Sequence, residues 1–535
     1  MLALFDQTSI TPETIIQART PADVPVALAA LQSAMDSGQT AIGYFAYELG
    51  YLLDPVLEPL YRQPSVPLIW FAIGKPTEPD MSGHYALGEA HHKDGYLEKC
   101  KTIIDNIHAG EIYQANLTFK STFSFSGSPR GLFTDLRNRQ PTPYAAYLES
   151  DDFQILSLSP ELFISVENGK IITKPMKGTL PSSADIEDLR NDPKQRAENL
   201  MIVDLMRNDL GRIGKNIHVD DMFAVETHPT LHQMTSTISA KTTADLKTLL
   251  TGLFPAGSIT GAPKIRAMQI VHDLEDAPRG AYCGAIGMLS KDKIILNVAI
   301  RTITIQNGTA EIGIGSGVVA DSDPKSEYDE CLLKMKFLQP QFGLIESFAK
   351  TKGQYDYWEE HIARLTNSAS ALGFTIDLPK IEADLKSQPD GMIRLVVERN
   401  GTYTITAKPL PITPPMRAKL SDAPLDSKNA YLPHKTTMRG FYDQQAARYP
   451  DFDEVVFINE RGELCEGCRT NIFIERDGVF LTPPLSAGLL PGTLRARLLA
   501  NGRAKEAVLY PRDLAKGAVF LGNGVRGLVP ATVVI

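Results

Sequence analysis

Between Leu162 and Arg212 the chain passes from a hairpin to a helix, and this stretch restricts its fold more than any other. LFISVENGKII (162–172) is β-rich and carries Asn168-Gly169, the pair favoured by two-residue hairpin turns. The hairpin delivers TKPMKGTL (173–180), and with it Lys177, to a strand end. RAENLMIVDLMRNDLGR (196–212) sets Leu200, Val203, Leu205 and Met206 at helical spacings, with Glu198 near the helix start and Asp204, Arg207 and Asp209 on a wet, charged side. Taken singly, Lys177 is a surface lysine and Glu198 a carboxylate favoured by the helix dipole.

At 535 residues the chain has room for about two to four domains. Its 43% hydrophobic and 22% charged residues are those of a globular protein with ample chain for large cores. A net charge of −9 and no basic tract argue against a nucleic-acid binder and against an anionic-membrane binder, although local basic residues can still hold an anionic substrate. MLALFDQTSITPET lacks the basic region of a signal peptide, and no later apolar run reaches spanning length. Cys100, Cys283, Cys331, Cys465 and Cys468 are scattered, which fits reduced thiols and a cytoplasmic location. No second pair or histidine cluster accompanies Cys465-Glu-Gly-Cys468, so zinc is not expected there.

In chain order, residues 1 to about 90 read as a mixed lobe with a helix near Val24 to Asp36 and a strand over AIGYFAYELGY (41–51). Tyr96, Cys100, Ile103, Ile104 and Ile107 predict an amphipathic helix closed by Ala109-Gly110. In GEIYQANLTFK, Gln114 and Asn116 are either site-lining groups or strand-edge amides. PAGSITGAPKIRAMQIV (255–271) is a glycine-broken turn entering a helix, whose N–H groups suit an anion. AYCGAIGML and NVAIRTI read as paired strands, and Arg301 among apolar neighbours calls for a carboxylate. Gly315 and Gly317 permit close backbone approach, and Glu327, Glu330 and Lys334 recur on one helix face.

KPMKGT followed by AEN, VDL, RND, GR and GSITGAPK resembles the chorismate-using enzymes, the family of anthranilate, isochorismate, salicylate and aminodeoxychorismate synthases. The resemblance implies an α+β fold of antiparallel sheets flanked by helices over residues 1–338. Before Gly-Thr, anthranilate and isochorismate synthases usually carry alanine and aminodeoxychorismate synthases lysine, here Lys177. It implies that Lys177 attacks the chorismate ring covalently, an amine chemistry that needs a closed pocket. Glu161 in SLSPELF falls in the place of the general acid or base. Tyr282, Arg301, Gly315, Gly317, Gly178, Thr179 and His232 are the implied substrate contacts. Glu198 and Glu330, with Glu327 alongside, are the implied magnesium ligands. Nothing resembles a cysteine-nucleophile elbow, so by analogy ammonia is expected from a separate glutamine amidotransferase subunit.

After KFLQPQ (336–341) the character changes. EEHIARL, YLPHKTTMRGFYD, EGCRTNIF and LLPGTLRARLL occur in the order found in class IV pyridoxal-phosphate enzymes, which include aminotransferases and aminodeoxychorismate lyase, and the hairpin IRLVVERNGTYTITAKPL fits among them. The resemblance implies a shortened class IV α/β domain over 342–535. Lys435 would carry the cofactor, Glu466 would pair with its pyridinium nitrogen, and Arg364, Gly492 and Thr493 would hold its phosphate. In FLGNGVRGLVPA, Gly524 stands where serine is common, leaving Asn523 and Arg526 as candidate substrate contacts. A homodimer through this domain is allowed. The two halves together imply para-aminobenzoate synthesis from chorismate and ammonia. Alternatives are an anthranilate- or isochorismate-type synthase joined to an aminotransferase, or to a non-catalytic module.

Overall fold

The computed structural model of this chain describes residues 1–83, 85–88, 90–93, 95–181, 185–227, 231–338 and 342–535. The backbone divides into two units, one of Met1–Met81, Leu87–Phe125 and Leu132–Gln339, the other of Ser82–Ala86, Ser126–Gly131 and Pro340–Ile535.

In the first unit the hairpin forms as its turn demands, with Asn168 at φ 52° and Gly169 at φ 73° between Leu162–Glu167 and Lys170–Lys174. The second arm pairs antiparallel with Leu231–Lys241, and so does the next strand, Met176–Pro181. Register shifts between Met176 and Thr179, so Lys177 and Gly178, the latter at φ 94°, sit in a bulge. Bulges re-aim side chains, and this one lifts Lys177 off the ladder.

The helix Pro193–Ile213 buries Asn199, Ile202, Val203, Met206 and Leu210, a stripe at spacings of three and four. Leu200, read as apolar packing, is exposed, because Asn199 holds the inward position through a 2.6 Å hydrogen bond from Ser236 Oγ. Expected as a strand to Tyr51, the early segment is a strand only over Ala41–Phe45, followed by a helical turn at Leu49–Leu52. The strand stops where Glu48 folds inward to accept the N–H groups of Arg279 (2.6 Å) and Gly280 (3.0 Å).

Arg279 ties these parts together from inside. Its guanidinium donates to both oxygens of Glu275 (2.7 and 2.9 Å) and to the carbonyls of Ile259 (2.9 Å) and Asn116 (2.8 Å). Glu275 in turn accepts the N–H and hydroxyl of Thr118. The network joins Gln114–Gly127 to the turn at 257–259.

The second unit has a four-stranded antiparallel sheet, Gln354–Tyr355, Leu344–Thr351, Gly391–Val397 and Tyr403–Lys408, whose apolar residues pack with those of helices Trp358–Leu372 and Leu378–Lys386. Six further strands close a ring, with Met416–Leu420 parallel to both its neighbours. The closing pair is Glu466 with Asn471. The fold is thus α+β, with antiparallel sheets flanked by helices in the first unit and an antiparallel sheet followed by a mixed sheet in the second. Among the described residues no helix is long and apolar enough to cross a membrane.

Removing the Arg279 side chain takes the cation from the nearly buried Glu275 carboxylate and leaves it the Thr118 N–H and hydroxyl. Arg279→Ala should destabilise the first unit by about 3–5 kcal/mol, read as an earlier transition in urea unfolding followed by a probe in that unit.

Candidate active sites

The bulge carries Lys177 toward Gly317 on the strand Thr309–Val318. A Cβ added at Gly317 would stand 3.0 Å from Lys177 Nζ and 2.5 Å from Gln114 Nε2, so glycine keeps the space that the amine and the amide fill. Gln114 is buried, and its Oε1 has no partner among the described residues, so it is an inward-facing group rather than a strand-edge amide.

Glu161 is 5% exposed and accepts a 2.7 Å hydrogen bond from Ser258 Oγ. Burial pushes its carboxyl up to about 7, against the opposing pull of Ser258 and the charge of Lys177. A carboxyl of that kind holds a proton near neutrality and can give it up. The turn at 257–259 supplies Ser258 to this carboxyl. Ser258 lay within GSITGAPK, but nothing in sequence linked it to a residue 97 positions away.

Arg301 adopts φ 50° in the break between Lys293–Val298 and Thr302–Gln306. Burial lowers its pKa, Gln140 Oε1 accepts from it at 3.3 Å, and among the described residues no carboxylate pairs with it. Such a desolvated cation favours an anionic ligand. Tyr282 packs flat on Gly313, where a Cβ would come within 2.0 Å of its ring. Gly315 lies against the Leu117 carbonyl, and its own carbonyl accepts from Lys334 Nζ at 2.9 Å.

Lys334 also pairs with Glu330 at 2.8 Å, and Glu327 accepts from Ser322 Oγ at 2.8 Å. Glu198 is half-buried on the helix Pro193–Ile213. Among the described residues no three His, Cys, Asp or Glu side chains form a metal cluster. Magnesium is served by two carboxylates with waters and substrate, and the oxygen donors of Glu198 and Glu330 fit it.

His232 shares its strand face with Met234 and Ile238, which are core, and its Nδ1 lies 2.9 Å from Thr227 Oγ1. The opposite face presents Gln233 and Thr235, each with a buried side-chain oxygen lacking a partner among the described residues. Thr179 pairs with Gln233, and its side chain lies outside the described residues.

In the second unit the Lys435 carbonyl accepts the Ile345 N–H at 2.8 Å, which pins the lysine to the strand Leu344–Thr351. Burial, and then the charge of Arg364, bring its amine down to about 8, with Glu346 opposing. Glu466 is buried, accepting Tyr442 Oη at 2.8 Å and the Leu490 N–H at 2.9 Å, and burial raises it to about 7. A basic ring nitrogen arriving here would take that site's proton or charge.

Arg364 is clamped on Glu346 (2.9 and 2.6 Å) and donates to the Pro491 carbonyl at 3.2 Å, so it stands beside the turn at Gly492. Gly492 is required there, since a Cβ would meet Asn471 Oδ1 at 2.0 Å. Thr493 is buried at the first turn of Thr493–Ala500. Gly524 also has a reason, because a Cβ would fall 2.5 Å from Thr493 Oγ1. A lysine of lowered pKa, a buried carboxyl and this turn together fit pyridoxal phosphate.

Asn523 is spent on its own loop, accepting the N–H groups of Val525 and Arg526 and donating to the Arg469 carbonyl. Cys465 and Cys468 donate to carbonyls at 3.2 Å and are structural thiols. Glu346, His361 and Tyr442 went unnoticed in sequence, for their partners lie 15 to 24 residues away.

Residues 74–340 match the family described as chorismate binding enzyme, and residues 343–534 that described as amino-transferase class IV. The first segment thus belongs to the chorismate binding enzymes and the second to the class IV amino-transferases. More particularly, the chain is 43% identical over 255 residues to aminodeoxychorismate synthase component 1 of Klebsiella aerogenes, a match covering 45% of this chain and 56% of that protein. It is 41% identical over 261 residues to the protein of the same name from Escherichia coli K12, covering 46% and 58%. The chain therefore spans little more than half the length of these relatives. The solved structure of anthranilate synthase component I from Streptococcus pneumoniae superposes with a TM-score of 0.54 at 25% identity, covering 64% of this chain and 92% of that one.

Competitive labelling of lysines across alkaline pH should find Lys435 titrating near 8. An amine titrating with the ordinary lysines would place it in water.

Proposed function

We propose that the chain makes 4-aminobenzoate from chorismate and ammonia, using residues 1–338 for amination and 342–535 for elimination of pyruvate. The observation that carries this reading is a desolvated, protonatable Glu161 within the field of the Lys177 amine, in a unit of which 255 residues are 43% identical to a component 1 protein. Arg301 pairs with one carboxylate of chorismate and Tyr282 lines the same end. Lys177 Nζ bonds to ring carbon two as the double bonds shift, and Glu161 gives its proton to the departing hydroxyl at carbon four. Ammonia then bonds at carbon four and Lys177 leaves, giving 4-amino-4-deoxychorismate. Magnesium, held by Glu198 and Glu330 with Glu327 near, would neutralise the ring carboxylate.

The "component 1" name of the relatives supports a separate amidotransferase subunit as the source of ammonia. In the second unit pyridoxal phosphate supplies an electron sink when bound. Lys435 holds it and moves the proton from the amine-bearing carbon, Glu466 fixes the ring nitrogen, and Arg364, Gly492 and Thr493 seat the phosphate. Pyruvate leaves and the ring becomes aromatic. A homodimer through the second unit belongs to this reading, as does a cytoplasmic setting, which five unpaired thiols support.

Incubation with chorismate, ammonia, magnesium and pyridoxal phosphate tests the whole scheme. Lys177→Ala should abolish 4-aminobenzoate formation from chorismate yet convert supplied aminodeoxychorismate, and Lys435→Ala should accumulate that intermediate. Release of 2-aminobenzoate or isochorismate by the unaltered chain would refute it. The protonated form of Glu161 does the work, so chorismate consumption should fall as pH rises through about 7. Glu161→Gln should lose at least about 100-fold in rate and lose that step in the profile.

A further inference from the structure

The second unit buries a carboxylate, an imidazole and a hydroxyl in line. Glu346 and His361 are each 1% exposed and Thr493 is 2% exposed. Glu346 Oε2 lies 2.5 Å from His361 Nδ1, and His361 Nε2 lies 3.4 Å from Thr493 Oγ1. The Phe348 ring, centred 4.5 Å from the imidazole, prevents rotation.

This geometry fixes where the hydrogens are. Burial would raise Glu346, but Arg364 and His361 overcome it and hold the carboxyl well below its usual range, so it is an acceptor only. The hydrogen between it and His361 therefore sits on Nδ1. Burial lowers His361 below its usual range against the pull of Glu346, so without ligand the ring is neutral and Nε2 carries a lone pair. The Thr493 hydroxyl must then donate to His361.

A bound phosphate changes this. Gly524 packs directly against the pair, since a Cβ there would stand 2.5 Å from Thr493 Oγ1 and 3.1 Å from His361 Nε2, so the phosphate reaches Thr493 from the side of the turn at Gly492 in the reading given above. A phosphate dianion only accepts, so the Thr493 hydrogen turns to it. His361 Nε2 is left facing an oxygen lone pair, an arrangement relieved only by a hydrogen on Nε2. Among the described residues the charged groups around the ring are Glu346 on one side, Arg364 one turn along its own helix, Lys435, and the Glu360–Arg497 ion pair with the Tyr357 ring at the helix start. Glu346 and Arg364 offset each other, so the incoming dianion is the unbalanced charge.

We propose that seating a phosphate monoester at Thr493 draws one proton from solvent onto His361, so that this ring sets the pH dependence of binding. The proposal rests on the reading of this turn as the cofactor's phosphate site. His361 is a positioning residue: it acts through Thr493.

The test is calorimetry on the cofactor-free full chain with 4-deoxypyridoxine 5′-phosphate and with 4-deoxypyridoxine, neither of which has an aldehyde to react with Lys435. Titrations at about pH 7.5, where a phosphate monoester is already dianionic, in buffers of different ionisation heat count the protons taken up. Subtracting the phosphate-free ligand removes any proton taken up at Glu466. The ester should bind more tightly and take up about one proton more per site. In His361→Gln, or in His361→Asn should the first not fold, that excess should vanish while 4-deoxypyridoxine binds as before. No excess in the unaltered chain, or an excess that survives in the variant, overturns the proposal. Equal binding of the two ligands, or of neither, overturns the phosphate-site reading and the proposal with it.

Discussion

A carboxyl kept out of water next to an amine is the constraint on which the first unit turns. Glu161 loses hydration by burial and recovers part of it from Ser258 and from the charge of Lys177. Each partner comes from a different element: the turn at 257–259, the bulge after Met176, and the break between Gln154–Ser159 and Leu162–Glu167. Gly317 keeps the remaining wall thin enough for Lys177 and Gln114 to approach. Arg279 locks the strand bearing Gln114 to the turn bearing Ser258, so a buried ion pair away from the chemistry holds its geometry.

The second unit solves a related problem with different parts. It lowers a lysine and raises a glutamate by burial, and it anchors both through backbone contacts, Lys435 to Ile345 and Glu466 to Leu490. Glu346 is its hub, binding Arg364 on one edge and His361 on the other. The two units therefore share a principle, a glutamic acid raised by desolvation, without sharing a fold.

Local features were legible in sequence where a local cause sufficed. The Asn168-Gly169 hairpin, the helix after Pro193 and the helix bearing Glu327 and Glu330 follow from turn chemistry and apolar spacing. Lys177, Glu161, Lys435 and Glu466 were marked by motif. What stayed hidden depends on contacts between distant segments: Ser258 on Glu161, Glu48 ending its strand early, and His361 between Glu346 and Thr493. Strand register sets His232 on the face opposite Gln233 and Thr235, a placement its motif does not encode. A motif names a neighbourhood, and only pairing decides which of two adjacent residues faces inward.

The account depends most on Lys177 forming a bond to substrate. Withholding ammonia removes the second nucleophile, so incubating the chain with chorismate and magnesium alone should leave the ring attached to the amine. Mass spectrometry of the digested protein should find the peptide containing Lys177 heavier by chorismate less water. A chain that consumes chorismate and aminates it on ammonia addition, yet never carries that mass on Lys177, would contradict the account.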